Sequence, residues 1–109
     1  NIMATANKVL GKVKPSAATA TTLYTVPAST QANVNIFIAN QSSVDTEIRV
    51  ALIKSGGSLA TTDYIAYDMK CNKDNPINIT GIALATGDFI QVYNTLATCS
   101  FVATGIEIS

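Results

Sequence analysis

The sequence predicts an all-β protein, an antiparallel β-sandwich of about seven to nine short strands, jelly-roll or immunoglobulin-like. Three observations lead there. Runs rich in β-branched and aromatic residues recur at intervals of roughly a dozen residues, with turn-forming residues between them. The clearest run, ANVNIFIANQ over 32–41, sets Val34, Ile36 and Ile38 on one side and Asn33, Asn35, Phe37 and Ala39 on the other. Strict alternation with a polar opposite face implies one buried side, as in a sandwich, rather than a parallel sheet covered on both faces. No stretch repeats its apolar residues at helical spacing. The chain has no Trp, so an antibody-type domain with its Cys…Trp…Cys pattern is not expected.

Taken in order, residues 1–7 are small and polar without a period, and read as a flexible arm. Residues 8–109 read as a single β-sandwich domain. KVLGKVK over 8–14 alternates around Val9, Gly11 and Val13, an edge strand whose lysines oppose edge-to-edge pairing. Pro15 ends it. Residues 16–22 form an Ala/Ser/Thr linker whose threonines oppose a helix. TLYTV over 22–26 is a short strand stopped by Pro27, which cannot donate to a ladder.

The strand over 32–41 follows, then a loop, QSSVD, and TEIRVALI over 46–53 with Ile48, Val50 and Leu52 in and Glu47 and Arg49 out. A loop this short predicts an antiparallel hairpin. Residues 54–58, KSGGS, are a loop, and residues 59–62 make a turn of helix or nothing. DYIAYDMKC over 63–71 predicts a strand with Ile65, Tyr67, Met69 and Cys71 on one side. NKDNP is a turn, and 76–80 a strand with Ile77 and Ile79 inward.

The last stretch, 81–109, reads as three extended runs split by two turns. These are 82–84, 89–93 and 99–108, with turns at Ala85-Thr86-Gly87-Asp88 and over 94–98. The final run is expected to close the fold. Phe89, Ile90, Val92, Phe101, Ile106 and Ile108 are the expected inner residues. Strict alternation cannot put Phe101 on the same side as Ile106 and Ile108, which predicts a bulge near Thr104-Gly105.

Apolar residues make up 48% of the chain, enough for one core. Charged residues make up only 13%, about half the usual share. The polar surface therefore comes from Thr, Ser, Asn and Gln, which are less expensive to desolvate against a neighbour than charges. Lysines and arginines balance the acids at net charge zero, which argues against nucleic acid as a partner. No apolar run is long enough for a membrane-spanning helix, and no signal peptide is visible. Cys71 and Cys99 are too few for a disulfide scaffold. They read as two semi-buried free thiols, with one bridge open to them should their strands lie side by side.

The search for chemistry returns no catalytic, cofactor-binding or metal-binding residue to name. There is no histidine, which removes the commonest general base and metal ligand. Asp63 and Asp68 fall on opposite faces of a continuous strand, so they do not pair for glycoside hydrolysis. Asp88 reads as a turn former. Asn72-Lys73-Asp74-Asn75 has oxygen donors, but with a lysine among them and no EF-hand pattern it reads as a turn. Asn40-Gln41-Ser42 and Asn78-Ile79-Thr80 match the glycosylation sequon, as chance allows in so Asn- and Thr-rich a chain. Tyr64, Tyr67 and Tyr93 have rings able to stack on sugars or bases, or else to pack at the edge of the core. Phe37, on the polar side of its strand, marks either a subunit contact or a second buried face.

One resemblance adds to this. LYTVPA over 23–28 leads into IFIANQS over 36–42, then IRVAL over 48–52 and YIAYD over 64–68. GIALATGDFIQVY over 81–93 and FVATGIEI over 101–108 complete the pattern. Across nearly the whole chain from Leu10, this resembles the small all-β virion structural proteins of tailed bacteriophages. The resemblance implies a non-enzymatic capsid decoration or cement subunit on the capsid surface. It would bind the major capsid protein and copies of itself, as a homotrimer first, without cofactor, nucleic acid or membrane. The alternative it implies is a tail, baseplate or fibre component that contributes to host-surface attachment.

Overall fold

The computed structural model describes residues 5–109. Eight strands follow in chain order. They are β1 (Thr5–Val13), β2 (Thr21–Thr25), β3 (Gln31–Asn40), β4 (Thr46–Ile53), β5 (Tyr64–Cys71), β6 (Ile77–Leu84), β7 (Phe89–Asn94) and β8 (Cys99–Ile108). A short 3-10 turn, Thr61–Asp63, precedes β5. The strands form two four-stranded antiparallel sheets, ordered β1-β8-β3-β6 and β2-β7-β4-β5. Every connection except β4–β5 passes from one sheet to the other. This is the order of an eight-stranded jelly roll, so of the two predicted types of sandwich it is the jelly roll that forms.

The core lies between the sheets. Val34, Ile36 and Ile38 of β3 face inward, as do Ile48 and Val50 of β4, Ile90 and Val92 of β7, and Phe101 and Ala103 of β8. Each fully buried aliphatic or aromatic side chain of this kind contributes about 1.5–3 kcal/mol relative to exposure. That gain selects the phase of each strand.

Four expectations are corrected. First, β3 and β4 do not form a hairpin. β3 pairs with β6 and β8, and β4 with β5 and β7. Alternation specifies which side is buried, not which strand lies alongside. The two apolar faces cover each other across the sandwich, and the loop between them is an arch. Asn40 holds that arch: its Oδ1 accepts from Ser42 N at 3.0 Å and its Nδ2 donates to Val44 O at 2.9 Å.

Second, the runs 76–80 and 82–84 are one strand, β6. Val34 pairs with Ile82 and Ile36 with Ile79, so Thr80 and Gly81 together oppose Asn35. Gly81 takes φ +78° at this bulge and its N–H reaches Asn35 Oδ1 at 3.3 Å.

Third, β8 has no bulge near Thr104-Gly105. Its register with β3 is unbroken from Gln31↔Ile108 to Asn40↔Cys99. Phe101 is inside, so Val102, Thr104, Ile106 and Ile108 share the outer face, where the isoleucines are half-buried. Phe89, also expected inside, is half-buried on the outer face of β7. Gly105 serves close approach instead: at φ +154°, any Cβ there would run into the Asn33 carbonyl.

Fourth, residues 5–7, expected to belong to the arm over 1–7, are part of β1. β1 starts at Thr5, and residues 5–7 pair with Ile108, Glu107 and Ile106. The free edge of β8 offers backbone partners that a strand satisfies better than water alone. Residues 1–4 of that arm lie outside the described residues. β1 is itself an edge strand, and a register shift between Val9 and Gly11 leaves Val9 outside while Leu10 and Val13 pack on the core.

Candidate functional site

Ile48 and Val50 point inward from β4, so Arg49 between them points out of the sandwich. β7 sets Tyr93 directly opposite it. On its other side, β5 departs from regular pairing. Ile48 pairs with Met69 and Val50 with Ala66, so Tyr67 and Asp68 together oppose the single Arg49. Asp68 takes φ +50°, a left-handed conformation that aspartate tolerates better than most residues. This bulge overturns the expected phase of the strand. Met69 and Cys71 lie opposite inward-facing Ile48 and Thr46, while Tyr67 meets Arg49 on the outer face.

The result is a cation between two rings. The Arg49 guanidinium carbon lies 4.2 Å from the centre of the Tyr67 ring and 4.4 Å from that of Tyr93. Arg49 Nε donates to Asp68 Oδ1 at 2.6 Å. Tyr64 packs edge-on against Tyr67, with ring centres 4.9 Å apart and planes at 79°. The Asp68 bond raises the Arg49 pKa further above its already high ordinary value, so the charge is permanent. A guanidinium over an aromatic face is attracted by the ring quadrupole, and the carboxylate fixes its rotation. Tyr67 keeps more than half its surface exposed.

Beside the cluster, Ala20, Ala51, Leu59 and Gln91 border a shallow depression of about 10 Å³. Small-molecule pockets usually enclose about 300–1,000 Å³, so this is a textured surface rather than a pocket. Leu59 lies beside Ala51 and the 3-10 turn touches β4, at the end of the strand where Ala51 and Ile53 are buried although they face outward.

The three tyrosines singled out from the sequence therefore share one face. Phe37 lies on the outer face of the other sheet, opposite Val102, and is 44% exposed. Of the carboxylates, Asp68 joins the tyrosines through Arg49, while Asp63 and Asp88 are taken up in turns. Asp63 accepts from Ala60 N at 2.8 Å and closes the 3-10 turn. Asp88 accepts from Ser55 N and Ala85 N, both at 3.0 Å, and these two N–H groups hold its carboxyl below the usual range. Asn72 Oδ1 is taken up within its own turn by Asp74 N and Asn75 Nδ2. Among the described residues no three metal-ligating side chains come together.

Arg49 was legible only as an outward residue. Its central role depends on the β5 bulge, which alternation alone does not reveal. Also missed were two buried asparagines and one half-buried tyrosine–carboxylate pair. Asn94 Nδ2 donates to Thr46 Oγ1 and Glu47 O, and its Oδ1 accepts from Thr98 N and Cys99 N. Tyr24 OH donates to Glu107 Oε2 at 2.6 Å, and Lys8 Nζ lies 3.2 Å from Glu107 Oε1. The Tyr24 bond, seconded by Lys8, holds the Glu107 carboxyl below its ordinary range, while burial raises the Tyr24 phenol. An Asn that ends an apolar run and opens a polar turn was the available signal for Asn40 and Asn94. No protein-family model, curated protein or solved structure matches this chain, so a functional reading rests on the arrangement above.

Proposed function

We propose that the chain is a non-enzymatic virion structural protein, a capsid decoration or cement subunit that docks through the Arg49–tyrosine face. The observation that carries this reading is the cluster itself. Tyrosine and arginine are the side chains that most often dominate protein–protein binding energy. Here the ring contacts, the Tyr64 packing and the Asp68 bond hold them in place before any partner arrives. Side chains ordered in advance lose less entropy on binding. The chain as a whole is poor in charge, which lowers the desolvation penalty over a broad contact. The partners in this reading are the major capsid protein and further copies of the chain, as a trimer first.

The test is location and copy number in the virion. A decoration subunit appears in hundreds of copies over the shell. A few copies confined to the tail would exclude it. Arg49→Ala and Tyr67→Ala should each lower occupancy on particles at least tenfold while circular dichroism stays unchanged.

A second reading, a tail, baseplate or fibre module that touches host glycans, is favoured by the gathering of Tyr64, Tyr67 and Tyr93 on one face. It ranks below the first because Arg49 already occupies a face of two of those rings. Glycan-array binding that disappears in Tyr64→Ala and Tyr93→Ala would reverse the ranking.

A further inference from the structure

Cys71 closes β5 in one sheet and Cys99 opens β8 in the other, and both are fully buried free thiols in the same core cluster. The strands that carry them are drawn together at this end. Asn40, paired with Cys99 across β3–β8, donates its amide to the Cys71 carbonyl at 3.0 Å. Asn94 accepts the Cys99 N–H, also at 3.0 Å. The two thiols are thus neighbours at this end of the core, each within electrostatic reach of the other. Side-by-side strands, the condition the sequence set for a bridge, are thus not required: the pair meets across the sandwich, sheet to sheet.

We propose that Cys71 and Cys99 are a modification site, a latent disulfide that ties the two sheets together when the chain folds in the presence of a small disulfide. In the open chain, the Cys71 thiolate attacks one sulfur of a low-molecular-weight disulfide, forming a mixed disulfide and releasing one small thiol. The Cys99 thiolate then attacks Cys71 Sγ, forming the Sγ–Sγ bond and releasing the second. Two protons and two electrons leave the protein, and the small disulfide is the species reduced. The step belongs to the open chain because both sulfurs are inaccessible once the sheets close. Burial also keeps Cys99 protonated, with its pKa pushed up to about 12, so the folded dithiol is a poor nucleophile. The same shielding protects the disulfide from reduction once it has formed. The bridge closes a loop that contains β6 and β7 and restricts the unfolded chain.

The experiment refolds the full chain from denaturant in oxidised and reduced glutathione, and in parallel in excess reductant. Intact-mass spectrometry should show the oxidised product lighter by two hydrogens, with no site for maleimide under denaturing conditions and no glutathione adduct. Its circular dichroism should match that of the reduced protein, and its Tm should be higher by about 8 °C or more. Two maleimide additions after oxidative refolding, a disulfide-linked dimer, or loss of the sheet spectrum would each overturn the proposal. Cys71→Ala removes the bridge, so its Tm should be the same in both buffers; a redox-dependent rise that persists there would also overturn it. Should that variant not fold, the mass and thiol count of the unmodified chain decide alone.

Discussion

At the scale of the residue, the informative side chains are polar ones that the fold buries. Asn94 uses both ends of its amide, bonding Thr46 and the Glu47 carbonyl on one side and the Thr98 and Cys99 N–H groups on the other. Removing it leaves those N–H groups without a partner in a site water does not reach. Asn94→Ala should therefore lower stability by about 2–4 kcal/mol, read from urea unfolding midpoints at constant m-value. Arg49 makes the contrasting case. Its contacts lie on the surface, so Arg49→Ala should leave the unfolding midpoint nearly unchanged while removing docking. Neither role was visible as chemistry in the sequence. Asn94 stood at the head of a predicted turn, and its inward rotation depends on strands distant in the chain. The tyrosines were legible as candidates, but not the arginine that brings two of them together.

At the scale of the element, alternation performed well where strands are regular. β3 and β4 bury the residues it assigned, down to Leu52, half-buried on the inner side opposite Ile90. It failed at bulges, because one extra residue reverses every later side chain. The Asp68 bulge moved Tyr67 away from Cys71, and Gly81 joined two runs that read as separate strands. In β8 the failure ran the other way. Glycine suggested a bulge where the strand is continuous and glycine is needed for contact with the β3 backbone. The two roles predict different consequences. Gly105→Ala places a methyl group against the Asn33 carbonyl at a backbone angle unfavourable to alanine. It should cost about 2–3 kcal/mol, seen as a lower urea midpoint. A glycine merely absorbing an extra residue at open space, as at Gly81, has nothing within reach of such a methyl group.

For the molecule as a whole, pH should act from both sides. Asp88 and Glu107 hold their carboxyls below the ordinary range. In acid the unfolded chain thus binds protons that the folded one refuses. This stabilisation is complete above the unfolded carboxyl pKa of about 4 and is lost as pH falls through the lower folded values. In alkali the sign reverses. Burial raises Cys99 to about 12, and burial together with Glu107 raises Tyr24. The folded chain keeps protons that the unfolded chain releases, from about pH 8.5 for the thiol and about pH 10 for the phenol. Unfolding free energy should thus peak near neutrality and fall on both sides, with Tyr24→Phe weakening the alkaline loss above about pH 10. Chemical denaturation across a pH series measures both limbs. Topology was the least legible property at this scale. Both faces of a sandwich satisfy the same alternation, so jelly-roll and immunoglobulin-like orders remain equivalent until strand neighbours are known.

The two ends of β8 also differ in what fastens them. At Cys99 the strand is bound by its ladder to β3 and by the buried Asn94 amide of β7, which takes up the Cys99 N–H. At Ile108 it is held by its ladders to β1 and β3, and by Glu107 with its phenol and a largely exposed lysine. Thermal opening should therefore begin at the Glu107 end and stop short of the cysteines. Amide hydrogen exchange would record this as a gradient along one strand, with protection at Cys99–Phe101 exceeding that at Ile106–Ile108 by about a hundredfold or more. β1 would be released first, and the edge of β8 it uncovers would become, for a moment, a template on which the extended segment of another chain can pair.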